Sequence, residues 1–153
     1  MSLIDGVVDN DIKKVRRLLK MGTSVDERSK STPLHCVARN GNTHIAALLI
    51  KKGAKINVRD NDNSTPLHLA VFNYHFDIVA LLIRKGAKIN ARDHWGQTPL
   101  HCAAQDNYTD IAALLIKKGA DVNAKDKRGM TAFDFAKNSK HNAMMALLSK
   151  FTK

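Results

Sequence analysis

The residue types best suited to chemistry recur at a fixed interval. His35, His68 and His101 stand 33 residues apart, Cys36 and Cys102 directly follow the first and third of them, and Asp60, Asp93 and Asp126 keep the same interval. Histidine beside cysteine invites a metal-site reading, and recurrent carboxylates invite a catalytic one. The interval argues against both. Side chains one repeat apart lie in successive layers, about 8 to 10 Å from each other if the layers pack as helices do, whereas the ligands of one zinc ion lie about 2.0 to 2.3 Å from it. Cys36 and Cys102 take the place held by Leu69 in the middle copy. Two layers apart, their Cα atoms fall beyond the ~7 Å limit for a disulfide, so they read as small buried apolar residues. Asp60, Asp93 and Asp126 fall in turn segments, where Asp hydrogen-bonds the local backbone. The glycines are spread one or two per copy, which leaves no Gly-rich phosphate loop. The expectation is a protein without catalytic residues, metal or cofactor.

The elements that carry these residues follow from the same interval. "TPLH" begins at Thr32, Thr65 and Thr98, and a degenerate "TAFD" begins at Thr131. Thr is a good N-cap, Pro suits the first helical position, and His stands where a capping-box side chain reaches back. Each copy therefore predicts a short helix. A second helix follows, with apolar residues such as Ile78, Leu81 and Leu82 at helical spacing, and Gly53, Gly86 and Gly119 stand where a left-handed C-cap is wanted. The runs "ALLIKKGAKIN", "ALLIRKGAKIN" and "ALLIKKGADVN" end at Asn57, Asn90 and Asn123. Turns such as "DHWG" and "DKRG" then lead into the next copy, their Gly supplying positive φ, with Asn63 in its place in the turn before Thr65.

With "TPLH", "LLIxxGAxxN" and the "DxxGxT" turn recurring in register, the chain resembles the ankyrin repeat family. The resemblance implies an all-α solenoid of stacked helix-turn-helix units joined by β-hairpin loops. It implies a single domain over 1–153, with a cap at 1–26, full repeats at 27–59, 60–92 and 93–125, and a C-terminal capping repeat at 126–153. Three departures stand out. The stretch from Gly22 to Thr32 is two residues shorter than its counterparts, which predicts a stunted hairpin. The Gly between the two helices is kept at Gly41 but replaced by Tyr74 and Asn107, and the last copy lacks both Pro and a final Gly.

The bulk properties fit that reading. A chain of 153 residues, 44% hydrophobic and 25% charged, is expected to form one soluble folded domain. No apolar run approaches the roughly 18 residues of a membrane span, and the N-terminus lacks the pattern of a secretory signal. With only two cysteines the protein is expected to be intracellular, cytoplasmic in the first place with the nucleus left open. It is expected to be a monomer. The formal charge of +11 raises the question of a polyanionic partner. Lys51, Lys52, Lys55, Arg84, Lys85, Lys88, Lys117 and Lys118 all lie at or just after the ends of second helices, where cations oppose the helix dipole. Much of the charge thus has a structural reason, and aromatic residues for base stacking are absent from this set.

The positions that differ between copies are where function can vary without breaking the fold. In the turns they are Arg28 and Lys30, then Asn61, Asp62 and Ser64, then His94, Trp95 and Gln97, then Lys127, Arg128 and Met130. Near the ends of the first helices they are Arg39 and Asn40, then Phe72, Asn73 and Tyr74, then Gln105 and Asp106, then Lys137 and Asn138. The resemblance implies that these line one concave face that binds other proteins, with Trp95 and Phe72 on neighbouring layers. Trp95, the sole tryptophan, is the first candidate for a binding hot spot. The expected function is a non-catalytic protein-interaction module. The alternatives are binding of nucleic acid or an anionic membrane surface through a lysine ladder, and a near-consensus or engineered scaffold without a partner of its own.

Overall fold

Each copy of "TPLH" opens a short helix in the computed structural model, which describes residues 2–152. The chain divides into two compact units, with the boundary between Ala87 and Lys88. The first holds α1 (Leu3–Val8), α2 (Ile12–Lys20), α3 (Pro33–Asn40), α4 (Thr43–Lys51), α5 (Pro66–Phe72) and α6 (Phe76–Arg84). The second holds α7 (Pro99–Gln105), α8 (Thr109–Lys117), α9 (Ala132–Asn138) and α10 (Asn142–Ser149). Helices pair as α1 with α2, α3 with α4 and α5 with α6, and then stack like on like, α1 on α3 on α5 and α2 on α4 on α6. In the second unit α7 pairs with α8 and α9 with α10, α7 stacks on α9, and α8 on α10. The result is an all-α fold of sequential helix pairs.

Local chemistry accounts for the helix boundaries. Thr32, Thr65 and Thr98 are extended N-caps with Pro at the next position. In each, the histidine Nδ1 accepts the threonine N–H, at 3.2, 3.2 and 3.1 Å. In "TAFD" Asp134 replaces that histidine, and its carboxylate accepts the Thr131 N–H at 2.8 Å, so the degenerate copy keeps the cap by other means. The turn between paired helices always places one residue at positive φ: Asn10, Gly41, Tyr74, Asn107 and Lys140. The second helices end at Gly53, Gly86 and Gly119, all left-handed as expected.

Burial repeats with the same period. Leu34, Leu67 and Leu100 in the first helices are at most 1% exposed, as are Ile45, Ile78, Ile111 and Met144 in the second. Leu49, Leu82, Leu115 and Leu148 fill a further buried position. Each contributes about 1.5 to 3 kcal/mol relative to exposure. Met144 occupying the isoleucine position is how the last, divergent copy still closes its unit.

The connecting loops are hairpin-shaped, each with one rung, Asp60 N–H to Ser64 O at 3.0 Å, Asp93 N–H to Gln97 O at 3.0 Å and Asp126 N–H to Met130 O at 2.9 Å, over a tight turn in which the Asn63, Gly96 and Gly129 N–H groups donate back to the Asp60, Asp93 and Asp126 carbonyls. The arms are too short for a ladder, and no strand occurs among the described residues. The shortened first loop lacks this rung, as its length predicts. Its carboxylates serve neighbouring segments instead, Glu27 accepting the Ile4 N–H at 2.7 Å and Asp26 the Lys55 N–H at 3.0 Å. Among the described residues no helix is long and apolar enough to cross a membrane.

Candidate protein-binding surface

A single carboxylate builds each turn tip. One oxygen of Asp93 accepts the N–H groups of both Trp95 and Gln97 at 2.9 Å. Asp126 does the same for Arg128 and Met130, and Asp60 for Asp62 and Ser64. In the Asp93 tip the His94 and Trp95 side chains lie outside this set of bonds, whereas in the Asp126 tip the Arg128 guanidinium joins it, 3.2 Å from the second carboxylate oxygen. Asp126 is buried at the foot of its turn. Burial pushes its carboxyl up, but the N–H groups of Met130 and Arg128 and the Arg128 guanidinium outweigh this and hold it below the usual carboxylate value.

In the second unit two such tips lie side by side, because the Lys127 N–H donates to the Trp95 carbonyl at 3.0 Å. Gly96 allows this approach, since at φ +78 a Cβ there would stand 3.0 Å from the Lys127 nitrogen. His94, Trp95, Lys127 and Arg128 are exposed, whereas Gln97 and Met130 are half-buried. The Trp95 indole is 54% exposed, and its only aromatic neighbour among the described residues is His94, edge-on at 5.8 Å. Arg128 is less free than its position suggests. Its guanidinium pairs with Asp126 at 3.2 Å and lies 5.5 Å over the Phe135 ring. Gln105 is exposed at the end of α7.

In the first unit Asn61 and Asp62 are exposed at the second tip, and Arg28 and Lys30 on the first loop. Arg28 is tied down, its guanidinium donating to the Arg59 carbonyl at 2.6 Å. Arg39 is exposed at the end of α3. Phe72 and Tyr74 are 54% and 49% exposed. Phe76, at the first position of α6, adds a third exposed aromatic at 39%. The sequence carried a signal for it, since the equivalent positions Thr43 and Thr109 are polar.

The histidines and cysteines first considered for chemistry are absorbed by the fold. His35 Nδ1 is occupied by the Thr32 cap, and its Nε2–H donates to the Ser64 carbonyl at 3.1 Å. His101 does the same between Thr98 and the Met130 carbonyl at 3.0 Å. Both rings are buried, and desolvation holds their pKa below 6.5, with the two carbonyls pulling the other way. Cys36 and Cys102 are buried free thiols. Burial, helped by the charges of Asp93 and Asp106, pushes Cys102 up to about 12. Lys51 and Lys52 close α4, Arg84 and Lys85 close α6, and Lys117 and Lys118 close α8, all exposed. Lys55 and Lys88 are exposed just beyond these ends.

The repeated Asn, to which the sequence pattern attached no role, joins neighbouring loops. Asn57 donates to the Gly86 carbonyl at 3.1 Å and Asn90 to the Gly119 carbonyl at 3.0 Å. Comparison with protein families agrees with this architecture. A model of ankyrin repeats in three copies matches residues 3–93, and a model of the single ankyrin repeat matches residues 95–127. Among curated proteins, no significant match was found. With paired helices, capped "TPLH" starts and carboxylate-anchored tips recurring through the matched residues, the chain belongs to the ankyrin repeat family.

Proposed function

We propose that this protein is a non-catalytic module that binds a protein partner through its turn tips and the ends of its first helices. Ankyrin repeats are typically protein–protein interaction modules. The observation that carries the reading is Trp95. Its indole is more than half exposed on a tip that is closed by the backbone, Asp93 and the Arg92 guanidinium on the Gly96 carbonyl, not by the indole. Large aromatics left open to water are costly unless something covers them, and Trp and Tyr are prominent among residues that dominate interface energies. Phe72 and Tyr74 supply comparable anchors in the first unit. Arg39, Asn61 and Asp62 in the first unit, and His94, Gln105 and Lys127 in the second, offer both signs of charge and neutral hydrogen bonding, which suits a protein surface of mixed polarity. Histidines and aspartates engaged in caps and tips support the non-catalytic reading. Two buried free thiols support an intracellular setting.

The test is affinity purification with wild type and Trp95→Ala, followed by titration of the recovered partner. Trp95→Ala is expected to melt as wild type does and to bind more than tenfold more weakly, about 1.4 kcal/mol or more. Unchanged binding together with a lower melting temperature would assign the indole to packing and overturn the reading.

A further inference from the structure

The second helices of the first unit carry a charge pattern that the tips and first helices do not use. α2 reads IKKVRRLLK, with five cations in nine residues and no acid. Lys14 is paired, with Asp9 at 2.7 Å. Arg16 and Lys20 have no ion-pair partner among the described residues, and neither have Lys51 and Lys52 at the end of α4. Between α2 and α4 lies a groove of about 420 Å³. Its floor is apolar, made by Leu19 of α2 and by Ala47 and Leu48 of α4, none of them fully buried. Arg16 and Lys20 border it from α2, His44, Lys51 and Lys52 from α4, and no acidic residue lines it.

Helix-end electrostatics explains part of this pattern. Lys20, Lys51 and Lys52 stand at helix C-termini, where a cation opposes the dipole. Arg16 is in the middle of α2, where the dipole offers it nothing. The combination also selects among anionic occupants. A single-stranded nucleic acid wants successive aromatic side chains for its bases, and the His44 imidazole is the one aromatic ring in the lining, with no Phe, Tyr or Trp beside it. A bilayer surface meets cations on a protruding face, whereas here they rim a recess with an apolar floor. A helix with an apolar stripe flanked by carboxylates satisfies both the floor and the rims, the helix-in-groove mode of recognition.

We propose that the α2–α4 groove binds an acidic amphipathic helical segment of a partner protein, with apolar side chains on Leu19, Ala47 and Leu48 and carboxylates against Arg16, Lys20, Lys51 and Lys52. The probe is a fluorescent synthetic peptide of about 18 residues, long enough to hold a helix, with Leu at i, i+3, i+4 and i+7 bordered by Glu. It is titrated with the full chain and compared with a scrambled isomer of the same charge, a thymidylate oligonucleotide and phosphatidylserine vesicles. The patterned peptide is expected to bind at least tenfold tighter than its isomer. Arg16→Glu combined with Lys51→Glu, at exposed sites that leave the helices intact by circular dichroism, is expected to weaken it more than tenfold. Ala47→Lys is the sharper variant, because it adds a cation while obstructing the floor. Peptide affinity is expected to fall about tenfold, and a rise would mean that charge alone is being read and would overturn the proposal. So would equal binding of the scrambled isomer, or preference for the oligonucleotide or the vesicles. Trp95→Ala is expected to bind the peptide as wild type does, which separates this groove from the tip surface.

Discussion

His75 lies across Gly41: its Nε2 is 2.9 Å from the Arg39 carbonyl oxygen, and a Cβ built on Gly41 would come within 2.5 Å of its ring. The glycine is required twice, once for φ +89 and once for the approaching imidazole. Gly41→Ala is expected to cost about 2 to 4 kcal/mol, combining left-handed strain with overpacking. Gly53 has the same φ but nothing within 4 Å, so Gly53→Ala is expected to cost only about 1 kcal/mol. Urea denaturation checks both, and adding His75→Ala to Gly41→Ala is expected to restore the steric share alone.

Stability is expected to fall as pH drops below about 6.5. His35 and His101 titrate at their ordinary value when unfolded and below it when folded, so on acidification the unfolded chain takes up protons first. Their contribution is complete above the unfolded value and is lost as pH falls through the folded one, at no more than about 1.4 kcal/mol per pH unit for each ring. Protonated Nδ1 also ceases to accept the threonine N–H. Urea midpoints measured from pH 8 to pH 5 would show the slope, and His101→Gln is expected to flatten it. Asp126 and Asp134, whose carboxyls are held below 3.8, act only in a lower window.

Tyr74 holds φ +57, a region costly for a bulky L-residue, while more than a third of its surface faces water. Tyr74→Gly is therefore expected to stabilise the chain by about 1 kcal/mol while weakening partner binding. Loss of stability in the melting curve would mean that the ring is retained for packing.

Cys102 is expected to resist thiol reagents at pH 8 in the folded state, because burial keeps its thiol protonated to about 12. Labelling should appear only with global unfolding, so its rate across a urea series is expected to follow the unfolding transition. Modification at the native baseline would reveal local opening of α7.

Features confined to one repeat were legible in the sequence. Thr–Pro caps, C-terminal glycines, carboxylate-anchored turns and the buried Ile and Leu positions each depend on residues a few places apart, and the 33-residue period displays them side by side. Relations between adjacent repeats were not. Histidine Nε2 to a carbonyl 29 residues on, Asn57 to Gly86, and His75 over Gly41 join different positions of the unit, and a period reports only what positions share. The same limit affects the variable residues. Arg28 and Arg128 differ between copies and so read as free for a partner, yet one is spent on the Arg59 carbonyl and the other on Asp126 and Phe135. The groove went unread because Leu19 and Leu48 look like ordinary helix-face residues until the neighbouring helix leaves them half open.

Because Asp60 and Asp93 each fasten a tip through main-chain amides, the side chains at 61–62 and 94–95 are not needed to hold it. Such a loop behaves as a cassette. Natural drift can rewrite 61–62 or 94–95 without asking the helices to adjust, so new specificities cost the scaffold little, whereas exchanging the anchoring Asp would loosen every amide it holds at once.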